Sequence, residues 1–340
     1  MSATSGGIAP FNWPALVSEA IRRRKAEKMT QKEHAALAGV SIPTIIAFDR
    51  AERTLSLGKA IDILRVVGLV EEVSTEETQE AFVREAFTRW QNLTKDLDKE
   101  SPGRFPLGWY RVDYAIEGNV RDIEPHRLRD FLAQAVVPHT GWPMFRLPRR
   151  TETAAREVDG VLECWLRPDQ DRPFISDPAH CDFWRASPTG RLFLIRGYQE
   201  DAQETFPPGT IFDVSLPIWR IAEALLHAAR LTKLLARQPE SADVRMRISY
   251  TGLQGRDLRA WASPGTIFHG GSRSRSDEVM TERTISAATI ETNLTQLVMP
   301  FIEPLYERFG VTGTAPTFID VELERMRGND FSDRTSALSK

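Results

Sequence analysis

The densest set of side chains able to do chemistry lies between His269 and Glu278, HGGSRSRSDE. Its amides, serines and guanidiniums suit an anion such as a phosphate. The GxxxxGK[ST] spacing of a P-loop is absent, so the stretch reads first as a surface loop. Upstream, the apolar run Leu192 to Ile195 ends in Arg196, Tyr198, Glu200 and Asp201. Arg196, Tyr198, Arg273 and Arg275 are therefore the candidate set for a small effector. Enzymatic chemistry finds little to stand on. The chain has no HExxH, no acidic-x-Lys triplet and no GxSxG. Asp159 with Glu163, and Asp320 with Glu322, are paired carboxylates, but isolated acidic pairs read as solvated faces. Cys164 and Cys181, with no CxxC anywhere, read as free thiols. No catalytic residue, metal site or cofactor is expected, and the chain reads as a non-enzyme.

The elements that position side chains for binding are clearest from Thr30 to Asp49, TQKEHAALAGVSIPTIIAFD. Ala35, Leu37 and Ala38, then Val40, Ile45 and Phe48, supply apolar groups at helical intervals on either side of Gly39. Two short helices that pack against each other are predicted. Thr30 with Glu33 three residues later forms a capping box, and Gly39 ends the first helix by taking positive φ. Ser41 caps the second, with Pro43 in its first turn, where a missing N–H costs little.

These residues resemble the lambda-repressor-like (XRE) helix-turn-helix family over residues 13–70. Gln31, Ala38-Gly39-Val40-Ser41 and Asp49 carry the likeness, between an opening helix from Trp13 to Lys28 and a closing helix from Leu57 to Val67. Ala51, where the family often has Gly, and His34, where it usually has an aliphatic residue, depart from it; His34 is expected to be a core histidine. The resemblance implies that Ser41, Ile42, Pro43, Thr44, Ile46, Ala47 and Arg50 line or flank a recognition helix in the DNA major groove. Ile42, Ile46 and Ala47 offer methyls to thymine, and Thr44 and Arg50 the polar contacts, so an AT-leaning half-site is expected. Thr30, Gln31 and the basic run Arg22, Arg23, Arg24 and Lys25 suit phosphates.

Charge divides along the same line. Residues 1–70 hold ten Lys or Arg and six Asp or Glu, +4, while the whole chain is −3, which leaves −7 for the rest. An acidic remainder makes a poor second nucleic-acid surface. At 340 residues, 41% hydrophobic and 27% charged, the chain has the composition of a folded protein of more than one domain. No basic n-region followed by an apolar run opens it and no stretch reaches a membrane span, so a cytoplasmic protein without a membrane partner is expected.

Beyond Gly68, apolar spacing at Phe82, Val83, Phe87, Trp90, Leu93 and Leu97 predicts an amphipathic helix, read as a linker over residues 71–103 that offers a dimer contact. Pro102-Gly103 breaks it. Residues 104–330 read as mixed α/β, with helices over Pro125 to Val137, Leu216 to Gln238 and Ile285 to Phe309. Strands are predicted over Gly160 to Leu166, Arg191 to Gly197, Val244 to Tyr250 and Thr317 to Glu322. The segment Phe183 to Arg259 loosely resembles the C-terminal region of bacterial DNA-binding regulators headed by a Schlafen-type AlbA domain, which implies a portable sensor or oligomerisation module.

The expected fold class is thus multidomain, an all-α helix-turn-helix N-terminal domain followed by a mixed α/β domain. The expected function is a sequence-specific, dimeric transcriptional regulator reading a pseudo-palindromic operator, a repressor by preference because occlusion needs no further contact. Its C-terminal domain would bind a small-molecule or protein effector, mediate homodimerisation, or both. The alternatives are the DNA-recognition part of a defence or toxin–antitoxin system, its C-terminal domain holding a protein partner, and a DNA-directed enzyme.

Overall fold

The computed structural model describes residues 12–52, 54–70, 75–148, 150–168, 177–263, 265–266, 268 and 273–328. Contacts divide the chain into two compact units, Met1–Ser74 and Thr75–Lys340.

The first unit is helical, with α1 (Trp13–Ala26), α2 (Gln31–Leu37), α3 (Ile42–Asp49) and α4 (Leu57–Val66). Their inward faces supply one small core of Val17, Ala20, Ala35, Ala38, Ile45, Phe48, Ile63, Leu64 and Val67. Trp13 closes it edge-on against Phe48.

The second unit is built on a seven-stranded antiparallel sheet, so the chain is mixed α/β. In chain order its elements are α5 (Thr75–Thr94), β1 (Trp109–Glu117), α6 (Pro125–Ala135), β2 (Arg156–Val158), β3 (Val161–Trp165), β4 (Phe183–Ala186), β5 (Arg191–Gly197), β6 (Ile211–Asp213), α7 (Leu216–Leu235), β7 (Asp243–Tyr250), β8 (Asp257–Arg259), β9 (Val279–Ser286), α8 (Leu294–Glu307) and α9 (Pro316–Gly328). The sheet order is β2-β3-β4-β5-β1-β7-β9, and β6 pairs with β8 in a separate parallel ribbon. Side chains alternate between faces. Tyr110, Val112, Tyr114 and Ile116 of the interior β1 point into the main core with α6, α7, α8 and α9. The opposite face of β4 and β5 presents Phe183, Phe193 and Ile195, and α5 covers it with Val83, Ala86 and Trp90. Among the described residues no helix is long and apolar enough to cross a membrane.

Three expectations change. The amphipathic helix predicted within residues 71–103 lays its apolar stripe on the sheet of its own chain, with Trp90 stacked on Phe105 at 5.6 Å, rather than presenting it as a dimer contact. Its polar edge is tied down as well, through Glu80–Arg247, Glu85–Arg185 and Arg89–Glu163. Thr317 to Glu322 is helical: Ile319, Leu323 and Met326 recur at helical spacing on the buried side of α9. Finally, Ile285 belongs to β9, and the helix expected from that residue starts only at Leu294.

Candidate nucleic-acid interface

Local rules account for the junction of α2 and α3. The Thr30 hydroxyl accepts from the Glu33 N–H at 3.2 Å, and the Glu33 carboxylate accepts from the Thr30 N–H at 2.8 Å, closing a capping box. Those bonds from Thr30 hold the Glu33 carboxyl below its ordinary range. Gly39 then turns the chain at φ +63°. Ser41 caps α3, its Oγ accepting from the Thr44 N–H at 3.4 Å and lying 2.8 Å from the Thr44 hydroxyl. Ile45 and Phe48 point inward from α3. His34 is fully buried, its Nε2 2.9 Å from the Ile63 carbonyl, so it is a core residue that ties α2 to α4.

Outward, α3 and its cap expose Ser41, Ile42, Pro43 and Arg50, and half-bury Thr44, Ile46 and Ala47. Ile42 is 44% exposed and Leu37, across the turn, 66%. An exposed aliphatic pair beside a helix cap gains nothing from the fold itself. The Arg50 guanidinium is exposed, and among the described residues its one ion-pair contact is Glu52 at 3.9 Å.

The basic run does not act as one patch. Arg24 is buried, 5% exposed, and forks onto Asp49 with Nη1–Oδ1 2.9 Å and Nη2–Oδ2 2.6 Å. It is a structural residue and no phosphate contact. Arg23 donates to the Val67 and Gly68 carbonyls at 3.3 and 2.7 Å, satisfying the C-terminus of α4. Arg22 and Arg23 share Glu19 and push its carboxyl down to about 2. Only Arg22 and Lys25 keep exposed cationic side chains in this run. Gln31 donates to Asp49 at 2.6 Å, so its amide is oriented at the start of α2. Asp49 thus gathers α1, α2 and α3 on one carboxylate, a role that sequence reasoning missed; its signal was an acid closing α3 in a chain with an arginine on α1.

Comparison with protein-family models, with curated proteins and with solved structures finds no match to this chain.

In the second unit the four effector candidates do not form one accessible set. Arg196 is fully buried, clamped by Asp182 at 2.6 and 2.5 Å and donating to Tyr110 Oη and to the Trp142 and Pro143 carbonyls. Tyr198 is buried too, its Oη 2.9 and 2.7 Å from the Trp109 and Thr251 carbonyls and its ring beneath Arg256. Both side chains are consumed by the fold. Arg273, which pairs with Asp257 at 3.3 Å, and Arg275 are exposed. His269 to Ser272, the start of the suggested anion loop, lie outside the described residues.

The acidic pairs divide: Asp159 and Asp320 are exposed, and their partners are structural. Glu163 is buried between Arg89 and Arg185, and Glu322 is buried against Arg325 and Thr266. Ser56 and Lys59, a Ser-x-x-Lys spacing also missed in sequence, sit exposed at the start of α4, without the desolvation that would activate such a lysine. Among the described residues no group of three or more His, Cys, Asp or Glu is placed to hold a metal ion.

Burial in this unit sets a pH dependence. Desolvation raises Glu223 to about 7, against hydrogen bonds from Thr140. Desolvation and the nearby Asp213 charge raise Glu200 to about 7. Desolvation lowers His227, bonded through Nδ1 to Tyr114 Oη at 2.9 Å, to about 3. Between the ordinary values of 4.5 and 6.5 the native state holds two protons on the glutamates that the unfolded chain has released, and lacks one that the unfolded histidine carries. With one net proton more on the native state, stability falls as pH rises. At about 1.4 kcal/mol per unit, the loss between pH 5 and pH 7.5 is on the order of 3 kcal/mol. Urea midpoints of the full chain at the two pH values check this. Glu223→Gln should flatten the dependence and His227→Phe should steepen it; a midpoint that rises with pH in the parent chain contradicts the assignment.

Proposed function

We propose that this chain is a sequence-specific DNA-binding regulator of transcription that docks α3 in the major groove and binds a pseudo-palindromic operator as a dimer. The observation that carries the reading is the outward face of α3. Ser41, Ile42, Pro43 and Arg50, flanked by Thr44, Ile46 and Ala47, stand on a helix whose other side is locked into the core. A helix of this kind fits the major groove, where Arg and Thr bond base edges and aliphatic groups meet thymine methyls. Asp49 supports the reading by holding Gln31 at the N-terminus of α2, the end of a helix that favours an anion. Arg22 and Lys25 take the phosphate role in place of Arg23 and Arg24.

One recognition helix reads only a few base pairs, so two heads on half-sites about 34 Å apart give the affinity an operator requires. Repression follows from occupancy alone. The second unit supplies dimerisation, effector sensing or both in this reading.

Selection of bound fragments from random DNA by the full chain at physiological salt is the test: a two-half-site motif supports the reading, and recovery of sequence-blind binding alone overturns it. On the selected site, Arg50→Ala and Thr44→Ala should each weaken binding by about 1–3 kcal/mol and leave random DNA unaffected. Arg22→Ala should weaken both and lower the salt slope by about 1. Anisotropy titrations over a potassium chloride series read all three. Equal losses on both DNAs for Thr44→Ala would remove it from the groove.

A further inference from the structure

A cleft of about 540 Å³ in the second unit is lined by Arg121, Asp122, Ile123, Arg127, Phe131 and Arg237. Three arginines therefore come to one place from three segments: the chain after β1, the first turn of α6 and the chain after α7. Backbone pairing fixes two of them. Arg121 N–H donates to the Leu235 carbonyl at 2.9 Å and Arg237 N–H to the Asn119 carbonyl at 2.8 Å, around an antiparallel bridge of Val120 with Ala236. In such a ladder residues 121 and 237 lie diagonally on the same face, about 7–8 Å apart.

Like charges held in this way repel each other, and an anion between them relieves the repulsion. Both side chains are exposed, and among the described residues neither has an ion-pair or hydrogen-bond partner. Asp122 offsets one of the three charges, and among the described residues the one ion pair of Arg127 is a long contact of 3.5 Å with Asp130. Residues 71–340 carry a net −7, so this positive cleft is not a by-product of basic composition. Its wall is also mixed. Ile123 is half-buried, and the ring of Phe131 lies under the Arg127 guanidinium at 5.3 Å.

From this geometry we infer that the cleft is a binding site for a small organic anion, its oxyanion head shared by Arg121 and Arg237 and its apolar body set against Ile123 and Phe131. Guanidiniums bind carboxylate and phosphate oxygens in the same forked manner, so the head is either of these. The volume lies within the range of small-molecule sites. The site stands independently of DNA binding by the first unit, and it replaces the buried Arg196 and Tyr198 as the place where an effector would enter.

Isothermal titration calorimetry on the full chain tests it with benzoate, phenyl phosphate, inorganic phosphate and benzyl alcohol. The expected result is saturable binding of benzoate or phenyl phosphate at one per chain, no binding of benzyl alcohol, and whichever aromatic anion binds more tightly names the head. Arg121→Ala with Arg237→Ala should weaken the bound anion about tenfold or more, whereas Arg237→Lys, which keeps the charge, should lose less. Ile123→Ala should weaken the aromatic anion and leave inorganic phosphate unchanged. Unchanged circular dichroism in these surface variants separates lost binding from lost fold. Absence of saturable heat from both aromatic anions overturns the proposal, as does equal affinity in the double variant or equal binding of the neutral alcohol.

Discussion

Replacing Asp49 with alanine is expected to unfold the first unit and leave the second folded. The substitution removes the carboxylate onto which Arg24 forks from α1 and Gln31 donates from α2. Arg24, at 5% exposure, cannot turn to water without opening the core around Val17, Ala20 and Phe48. A buried charge that loses its partner costs about 3–5 kcal/mol. A unit of this size has only about 3–10 kcal/mol in total, at 0.05–0.15 kcal/mol per residue. Amide hydrogen exchange on the full chain reads the two units separately. Segments over α1 to α3 should lose protection, while β5 and β7 keep theirs, and the DNA binding proposed for the first unit should vanish with it. The paired change Arg24→Met with Asp49→Leu removes both charges and should restore most of the protection. It should not restore full DNA affinity, because Gln31 is then no longer oriented. Native protection in Asp49→Ala would show that the ion pair does not hold the helices together.

Arg24 also marks where sequence reasoning stops. A run such as Arg22-Arg23-Arg24-Lys25 reads as one basic face, but at 100° per residue a helix sends its members in different directions. Arg24 turns inward and Arg23 reaches the end of α4, which leaves Arg22 and Lys25 outside. Capping and glycine signals, by contrast, are local and were legible: Thr30 with Glu33, Gly39 and Ser41 all act within four residues of their own position. Strands β5 and β7 were legible as well, the first as an apolar run and the second as an alternation of apolar and polar residues. The interior strand β1, WYRVDYAIE, was not. Its Arg111 and Asp113 interrupt the apolar pattern, and only the fold brings Arg247, 134 positions away, beside Asp113 to join Arg111 in neutralising a charge in the middle of a sheet. The same reason hid the roles of Glu163, Arg185 and Arg196. Burial of a charge depends on a partner that the topology brings alongside, and nothing in the local sequence marks which acid and which arginine will meet, whether 14 positions apart as in Asp182 and Arg196 or 134 as in Asp113 and Arg247. For α5 the apolar stripe was legible and its target was not, since the helix and the sheet face it covers meet across about a hundred residues.

The buried pair of Asp182 and Arg196 predicts an equally large effect in the second unit. Both side chains have no exposure, and the guanidinium is satisfied in full by Asp182, Tyr110 Oη and two carbonyls of the segment Trp142-Pro143. Asp182 also accepts from Trp142 Nε1 at 3.1 Å, so the carboxylate pins that segment to β5 from both sides. Tyr110 Oη receives a second guanidinium, Arg220 from α7, at 2.7 Å. Taking away the Asp182 charge therefore leaves two cations converging on one phenol in a low dielectric, with Arg196 enclosed. Asp182→Ala should destabilise the unit by about 3–5 kcal/mol, and Asp182→Asn, which retains hydrogen-bonding oxygen without the charge, by less. Removing both charges with Asp182→Leu and Arg196→Met should cost far less than the single alanine and need not cost anything, since apolar replacements of buried pairs are often neutral. Urea unfolding followed by tryptophan fluorescence, to which the second unit contributes seven of the eight tryptophans, measures the series. A single variant no worse than the double would mean that packing, and not the pairing of charge, keeps this part of the sheet together. The expected ordering, alanine worst and the apolar pair mildest, would instead show that Arg196 is in the core at a cost that the Asp182 charge chiefly offsets.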